Sequence, residues 1–335
     1  MLRVPLNQCT IDFKFTSTTP MLVKDGRWQP KKGEQLPAAV FQCREDLSAT
    51  SVKQNIKDGN YGGLTFFIPG ATLRGVFRTQ MERIARGLSP DNPIVCNPFV
   101  DDREAEALTA GATEMGCSWK AKKGYADSCP VCRIFGSTKH AGRIAFQDGE
   151  RVAGTGQVKI AEQIAIDRFT GSVRTGLGPF KLMTLVGATF TTRIALRNFE
   201  LWQLGLLGYV FKDLKHARLQ IGMGRNLDRG HVKCEYEDTQ ISVTYFGLKE
   251  KIPADGALSG IGELWKKEAG KYRFVTGESI AGQLDYVTAD EDGFAHEHSV
   301  EGAEAFWRAV TPKWNEAAKD SEIFPGRAVA AKRGA

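Results

Sequence analysis

The stretch that best defines the fold reads Ile68-Pro69-Gly70-Ala71-Thr72-Leu73-Arg74-Gly75-Val76-Phe77-Arg78. It continues a short apolar strand at residues 64–68, and its own apolar side chains recur with helical spacing. Thr72 has the residue type of an N-cap, and Gly87 with Pro90 predicts where the helix ends. The stretch therefore indicates a strand that turns sharply into an amphipathic helix.

The start of this helix has the features of an anion site. Gly70, Ala71 and Thr72 would present free backbone N–H groups, which attract phosphate. Arg74 and Arg78 lie four residues apart and add positive charge beside the apolar stripe. A surface helix with solvated arginines explains the same residues, so this segment alone leaves both interpretations open.

The segments on either side combine strands with one further helix. Apolar and polar residues alternate over residues 9–19, which predicts a half-buried strand, and residues 24–63 are interpreted as a long loop or small insertion. A largely buried helix is predicted at residues 199–214. Further strands are predicted at residues 142–148, 161–167, 184–197, 217–221 and 231–237. Two helices on one face of an antiparallel sheet give an α+β, ferredoxin-like core over residues 1–240.

Residues 241–335 are interpreted as a C-terminal extension. A short helix is predicted near Ala303–Thr311, with Gly302 at its start and Pro312 at its end. Trp314 follows just outside and is expected to pack back onto this helix.

The charge of the chain is uneven. It has 45 Lys and Arg against 39 Asp and Glu, and the surplus of basic residues lies before residue 241. A basic surface suits a polyanion such as nucleic acid, although a solvated basic surface is the simpler interpretation. With 42% hydrophobic and 25% charged residues, the composition is that of a globular protein. The sequence lacks an apolar run of membrane-spanning or secretory length, so we expect a cytoplasmic protein without membrane contact.

Four of the seven cysteines predict a metal site. They fall within one window and are Cys96, Cys117, Cys129 and Cys132. The two-residue spacing of Cys129-Pro130-Val131-Cys132 lets both thiolates reach one tetrahedral ion. We therefore predict a structural Zn²⁺ in an insertion at about residues 91–140, with a closed thiolate shell that leaves no position for catalytic water.

Alternatives to this site stay open. A redox pair or unligated thiols would also account for the CxxC spacing, although the sequence before Cys129 lacks the βαβ context of a redox motif. Cys96 is the ligand farthest away along the chain, and His140 is the nearest substitute.

Two loops have the composition of nucleic-acid contacts. Residues 168–181 are glycine-rich and basic and contain Phe169 and Phe180, a mixture that suits phosphate contact and base stacking. An ordinary hairpin with core-facing phenylalanines is the alternative. Residues 222–230 form a second glycine loop with Arg225 and Arg229, and this loop matches neither a P-loop nor a Rossmann fingerprint.

Four segments together resemble the CRISPR-associated RAMP superfamily. The stretch at residues 68–78 resembles the family's IPG segment, and residues 129–137 are similar to the zinc knuckle of its type III backbone subunits. Residues 166–171 resemble the segment that leads into a thumb hairpin, and residues 222–230 resemble a glycine-rich loop near the carboxyl end. The resemblance covers roughly residues 10–240.

The resemblance implies a modified RRM-like core, with a thumb at about residues 168–183, in a subunit that lies head to tail with its copies along a guide RNA. The partners implied are this CRISPR RNA, a target nucleic acid paired to it, and other effector subunits that act in defence against viruses and plasmids. The RNA-binding residues implied are Gly70, Ala71, Thr72, Arg74, Arg78, Arg133, Ser137, Arg168, Phe169, Thr170, Arg174, Gly222, Gly224, Arg225, Asn226 and Arg229.

The resemblance is incomplete at the position of the aspartate that cuts RNA in type III backbone subunits. Type III backbone subunits cut target RNA with an aspartate in a glycine-flanked loop after the first strand. Asp25 and Asp46 are the best candidates here, and neither matches that context well. We therefore expect a scaffold that does not cleave RNA, as in type IV-like complexes, and keep a metal-dependent endoribonuclease as the alternative. A zinc-ribbon regulator of duplex DNA is a third possibility, for which the sequence offers no recognition helix.

Overall fold

A computed structural model describes residues 4–31, 34, 36–87, 94–99, 116–120, 124–174, 179–247, 249–253 and 256–324. The strands are β1 (Asn7–Ser17), β2 (Phe67–Ile68), β3 (Gly136–Ser137), β4 (His140–Ala141), β5 (Ile144–Phe146), β6 (Gly149–Arg151), β7 (Gln157–Gln163), β8 (Phe180–Val186), β9 (Thr189–Arg197), β10 (Leu219–Gln220), β11 (His231–Lys233), β12 (Thr239–Phe246), β13 (Leu258–Ser259), β14 (Ser279–Ile280), β15 (Asp285–Ala289) and β16 (Ala295–Ser299). The helices are α1 (Thr50–Lys57), α2 (Gly70–Gly87), α3 (Cys117–Lys120), α4 (Pro130–Phe135), α5 (Leu201–Lys215), α6 (Ile261–Leu264), α7 (Lys266–Tyr272) and α8 (Ala303–Ala317).

One antiparallel sheet forms the centre of the molecule. Among the described residues ten strands contribute to it; its main path runs β15-β16-β12-β1-β9-β6-β2, and β5, β10 and β11 pair beside that path. The alternation along β1 directs Cys9, Ile11, Phe13 and Phe15 into the core, while the residues between them lie on the opposite, more exposed face.

Helices α2 and α5 cover the apolar face of this sheet. The ring of Phe13 on β1 lies 6.2 Å from Phe77 of α2 and 5.1 Å from Phe211 of α5, measured between ring centroids. Such aromatic contacts join both helices to the central strand in one core. The prediction of an α+β fold built on an antiparallel sheet, consistent with a ferredoxin-like arrangement, is confirmed.

Residues beyond 240 are part of this core. The predicted boundary at residue 240 falls inside β12, which pairs with β1 from Asn7↔Tyr245 to Phe13↔Thr239. Pro312 was expected to end the last helix, but α8 continues through it to Ala317. The reason is packing: Trp314 is fully buried against Trp202 of α5, with ring centroids 6.0 Å apart, and this burial offsets the helix hydrogen bond that proline cannot make.

Three local predictions are corrected by the structure. Helix α2 begins at Gly70, and Thr72 lies inside its first turn, where its N–H donates to the Pro69 carbonyl over 2.8 Å, so Thr72 is not the N-cap. The predicted strand at residues 184–197 is two strands, because β8 pairs with β7 outside the central sheet whereas β9 pairs with β1. Residues 24–63, expected to be irregular, contain α1.

Candidate metal centre and nucleic-acid interface

The four predicted cysteines come together in the folded chain. All are buried, and the sulfur atoms of Cys96, Cys117, Cys129 and Cys132 lie within 4.8 Å of one another. The Sγ of Cys96 lies 3.7 Å from that of Cys132 and 3.7 Å from that of Cys129. Four sulfurs bound to one zinc ion at about 2.3 Å would be about 3.8 Å apart in a tetrahedron. The cluster therefore has the spacing needed to hold a metal ion.

Local backbone geometry orients two of these sulfurs. Cys129 is the N-cap of α4, Pro130 begins the helix, and the Cys132 N–H lies 3.4 Å from Cys129 Sγ. The Cys129 N–H donates to Cys117 Sγ over 3.1 Å. His140, considered above as a substitute ligand, instead places Nε2 2.9 Å from the Cys132 carbonyl oxygen.

The chemistry of the four cysteine sulfurs also suits a bound cation. Hydrogen bonding to the Cys117 sulfur raises the pKa of the Cys96 and Cys132 thiols, which favours their protonated form in the absence of a cation. A divalent ion would supply the missing positive charge and favour the deprotonated form. Four sulfurs complete a tetrahedral shell, which is the arrangement of a structural site.

Helix α2 faces this cluster with a row of side chains at every fourth position, which we call the α2 row: Arg74, Arg78, Glu82 and Arg86. Arg74 donates to the Phe135 carbonyl, and Arg78 Nη2 lies 3.4 Å from Cys132 Sγ. Arg86 donates to the Cys96 carbonyl over 2.9 Å. Arg86 was not predicted from the sequence, although its spacing of four residues from Glu82 could have placed it with the others.

The predicted phosphate site at the start of α2 is occupied by a side chain of the protein. Asp148 accepts a hydrogen bond from the Gly70 N–H over 2.8 Å, and its other oxygen pairs with Arg44 at 2.8 Å. Gly70 is buried, and a Cβ there would lie 2.5 Å from the Phe146 carbonyl oxygen, so glycine is required for close packing. Ala71 is exposed and Thr72 half-buried. Asp148 was not anticipated, because nothing in its local sequence pairs it with a segment 78 residues away.

Arg133 is directed into the protein interior. Its side chain is 0% exposed and donates to the carbonyl oxygens of Ser128, Ala126 and Ile323. The predicted contact between Arg133 and RNA is incompatible with this burial, and the residue instead joins the cysteine-rich insertion to the C-terminal segment. Ser137 is half-buried beside His140, whose Nδ1 lies 3.2 Å from the serine hydroxyl.

The predicted thumb region is a two-stranded hairpin separate from the central sheet. Strands β7 and β8 pair from Gln157↔Val186 to Gln163↔Phe180, and an isolated bridge joins Ile166 to Val173. The strands therefore begin before the predicted range of 168–183. Residues 175–178 of that range lie outside the described residues.

The far end of this hairpin is exposed and basic. Arg168, Thr170 and Arg174 are exposed, and Phe169 is 99% exposed. Asp167 accepts hydrogen bonds from the Thr170 and Phe169 N–H groups over 3.0 and 2.9 Å, and these bonds lower the pKa of its carboxyl. The Asp167 side chain thus holds the turn, while two arginines and an aromatic ring face solvent.

The glycine loop lies against residues 20–24. Gly222 has φ +92°, and a Cβ there would overlap the Leu22 carbonyl oxygen, so only glycine fits. Gly224 also has positive φ, Arg225 and Asn226 are exposed, and Arg229 is half-buried. Within the part of the chain that the structure describes, Arg168, Arg174 and Arg225 form no ion pair with a carboxylate.

Residues 20–24 connect the glycine loop to the base of the hairpin. The Leu22 carbonyl accepts from the Met223 N–H over 2.8 Å, and the Pro20 carbonyl accepts from the Gly230 N–H over 3.0 Å. Met21, between them, forms an antiparallel bridge with Leu185 of β8. The glycine loop is therefore joined through this short segment to the base of the hairpin, whereas Arg168 and Arg174 lie at the far end of the hairpin.

The two candidate catalytic aspartates are both held by hydrogen bonds. The Asp25 side chain is 0% exposed and receives two bonds from the Arg27 guanidinium, at 3.0 and 2.7 Å. Burial alone would raise the pKa of Asp25, but the bonds and charge of Arg27 outweigh it and hold the pKa below its usual value. Asp46 is exposed, and hydrogen bonds from Ser48 lower the pKa of its carboxyl.

The fold and these sites define a class of protein: an antiparallel α+β domain with a cysteine-rich insertion and a separate basic hairpin. Residues 14–233 match the RAMP superfamily, and the chain belongs to that family. This confirms the family resemblance seen in the sequence. The superfamily is associated with CRISPR effector complexes that bind CRISPR RNA. A search among curated proteins gives no match. Among the described residues, no helix is long and apolar enough to cross a membrane.

Proposed function

We propose that this chain is a backbone subunit of a CRISPR effector complex, which coats a guide RNA and associates head to tail with its own copies. Membership of the RAMP superfamily supports this function. The observation that carries it is the exposure of Arg168, Phe169 and Arg174 at the end of a hairpin whose base is joined, through residues 20–24, to the glycine loop with its exposed Arg225. Other effector subunits and a target nucleic acid paired to the guide would be the further partners.

The guide contacts are proposed for the exposed arginines of these two loops. Arg168, Arg174 and Arg225 face solvent, where they can neutralise phosphates, and Phe169 offers a ring for base stacking. The start of α2 is a weaker candidate, because Asp148 already accepts from Gly70 and would repel a phosphate.

The cysteine cluster is proposed to hold a structural Zn²⁺. When bound, the ion would hold the insertion together by joining three segments of the chain, which contribute Cys96, Cys117 and the pair Cys129 and Cys132. The chemistry of RNA binding would then belong to the loops and not to the metal.

We further propose that the subunit does not cleave RNA. Asp25 is buried in its pair with Arg27, and Asp46 holds the turn at Ser48. A carboxylate that binds a catalytic metal needs free oxygens facing the substrate, and Asp25 does not provide them. Incubation of the guide-loaded complex with complementary RNA and Mg²⁺ should leave the RNA intact; cuts lost in Asp46→Ala would establish the endoribonuclease instead.

Binding of single-stranded RNA tests the main proposal. The double variant Arg168→Ala, Arg174→Ala should bind a fluorescent RNA more weakly, and its log–log salt slope should fall by about 1.4, or about 0.7 per lost phosphate contact. Arg308→Ala, which removes an exposed arginine of α8, is the matched control and should bind as the wild type does. Equal affinity of the double variant and the wild type would refute the hairpin contacts, and preference for duplex DNA would favour the regulator.

A further inference from the structure

The α2 row is the polar contact between helix α2 and the cysteine cluster. Arg78 lies at its centre: Nη2 is 3.4 Å from Cys132 Sγ, and Nε donates to Glu82 over 3.1 Å. Glu82 also faces Arg86, whose Nη1 lies 3.9 Å from its second oxygen. Because Glu82 accepts the hydrogen bond from Nε, the guanidinium of Arg78 is oriented with Nη2 toward the Cys132 sulfur.

The charge of a four-thiolate centre gives this contact a role. Four thiolates and one divalent ion have a net charge of −2, and the sulfurs here are buried. Burial of uncompensated charge is costly, and a hydrogen bond from a cation to a ligand sulfur reduces that cost. Groups that contact metal ligands commonly change metal affinity by about 10- to 100-fold.

We propose that Arg78 is a positioning residue of the metal centre, which orients Cys132 and offsets the charge of its thiolate, and not a contact to guide phosphate. The inference rests on the metal site proposed above. The other two arginines of the row support it: Arg74 donates to the Phe135 carbonyl at the end of α4, and Arg86 donates to the Cys96 carbonyl. The row thus docks two of the ligand-bearing segments onto one helix.

Competition for zinc with a colorimetric chelator tests the role of Arg78 in the full-length, zinc-loaded protein. Arg78→Gln should weaken zinc binding about 10- to 100-fold. Arg78→Lys keeps the charge and should recover part of the loss. Arg83→Gln is the matched control, because Arg83 lies exposed on the same helix outside the row.

Two further measurements separate this role from RNA binding and from misfolding. The zinc-loaded Arg78→Gln variant should bind RNA with unchanged affinity and salt slope. In cobalt-substituted protein, the thiolate-to-cobalt absorption band should shift in Arg78→Gln and not in Arg83→Gln. Unchanged zinc affinity together with weaker RNA binding would overturn the proposal in favour of a phosphate contact. A wild-type protein that binds RNA but retains no zinc would overturn it while leaving the proposed function standing.

Discussion

Replacing Asp148 with alanine tests whether a carboxylate of the protein, and not a phosphate, belongs at the start of α2. The substitution removes the acceptor for the Gly70 N–H, a cap worth about 1 kcal/mol. It also removes one partner of Arg44, an exposed pair worth about 0–1 kcal/mol, and Arg44 keeps Glu150. We expect a total loss of about 1–2 kcal/mol. With about 2.1 cal/mol/K of unfolding entropy per residue, a chain of 335 residues should lose about 1–3 °C in Tm.

Calorimetry of three variants checks this value. Asp148→Asn keeps an acceptor suited to an N-cap and should lose less than Asp148→Ala. Glu150→Ala removes the other partner of Arg44 without touching the helix and should have almost no effect. RNA affinity of Asp148→Ala should not fall, because the change removes a negative charge. An unchanged Tm together with weaker RNA binding would refute the reasoning.

Three other perturbations have expected outcomes. Cys129→Ser should lose bound zinc and make the insertion sensitive to proteases, and metal analysis of the wild type that finds no zinc would contradict the site. Asp25→Asn should destabilise the protein at pH 7 and less so at pH 3: the folded pKa lies below the unfolded value of about 3.9, so the stabilisation by Arg27 is complete above that value and is lost as the pH falls through the folded pKa. Trp314→Ala should cost about 3–5 kcal/mol in urea denaturation, whereas a small loss would show that α8 is not part of the core.

The sequence predicted the elements with strong local patterns. The alternation of β1 and the helical spacing of α2 follow from short-range periodicity, and both elements form close to the expected places. The CxxC spacing likewise identified Cys129 and Cys132, and the concentration of cysteines identified Cys96 and Cys117. These predictions depended on residues that are close together along the chain.

What the sequence could not predict depends on distant partners. Arg133 has the residue type of a phosphate ligand, but its carbonyl partners include Ile323, 190 residues away. Asp148 caps a helix 78 residues earlier, and α8 continues past Pro312 to Trp314, which is buried against Trp202. In each case tertiary packing decides the outcome, and a local pattern carries no information about it.

The pairing of β1 with β12 has a consequence for synthesis of the protein. β1 is synthesised long before β12, and the edge of β1 that pairs with β12 stays open until residues 239–246 have emerged from the ribosome. An unpaired edge strand readily joins other chains. The nascent protein therefore passes through a long interval in which its central strand is exposed to aggregation, and chaperones that shield such edges would be needed most during that interval.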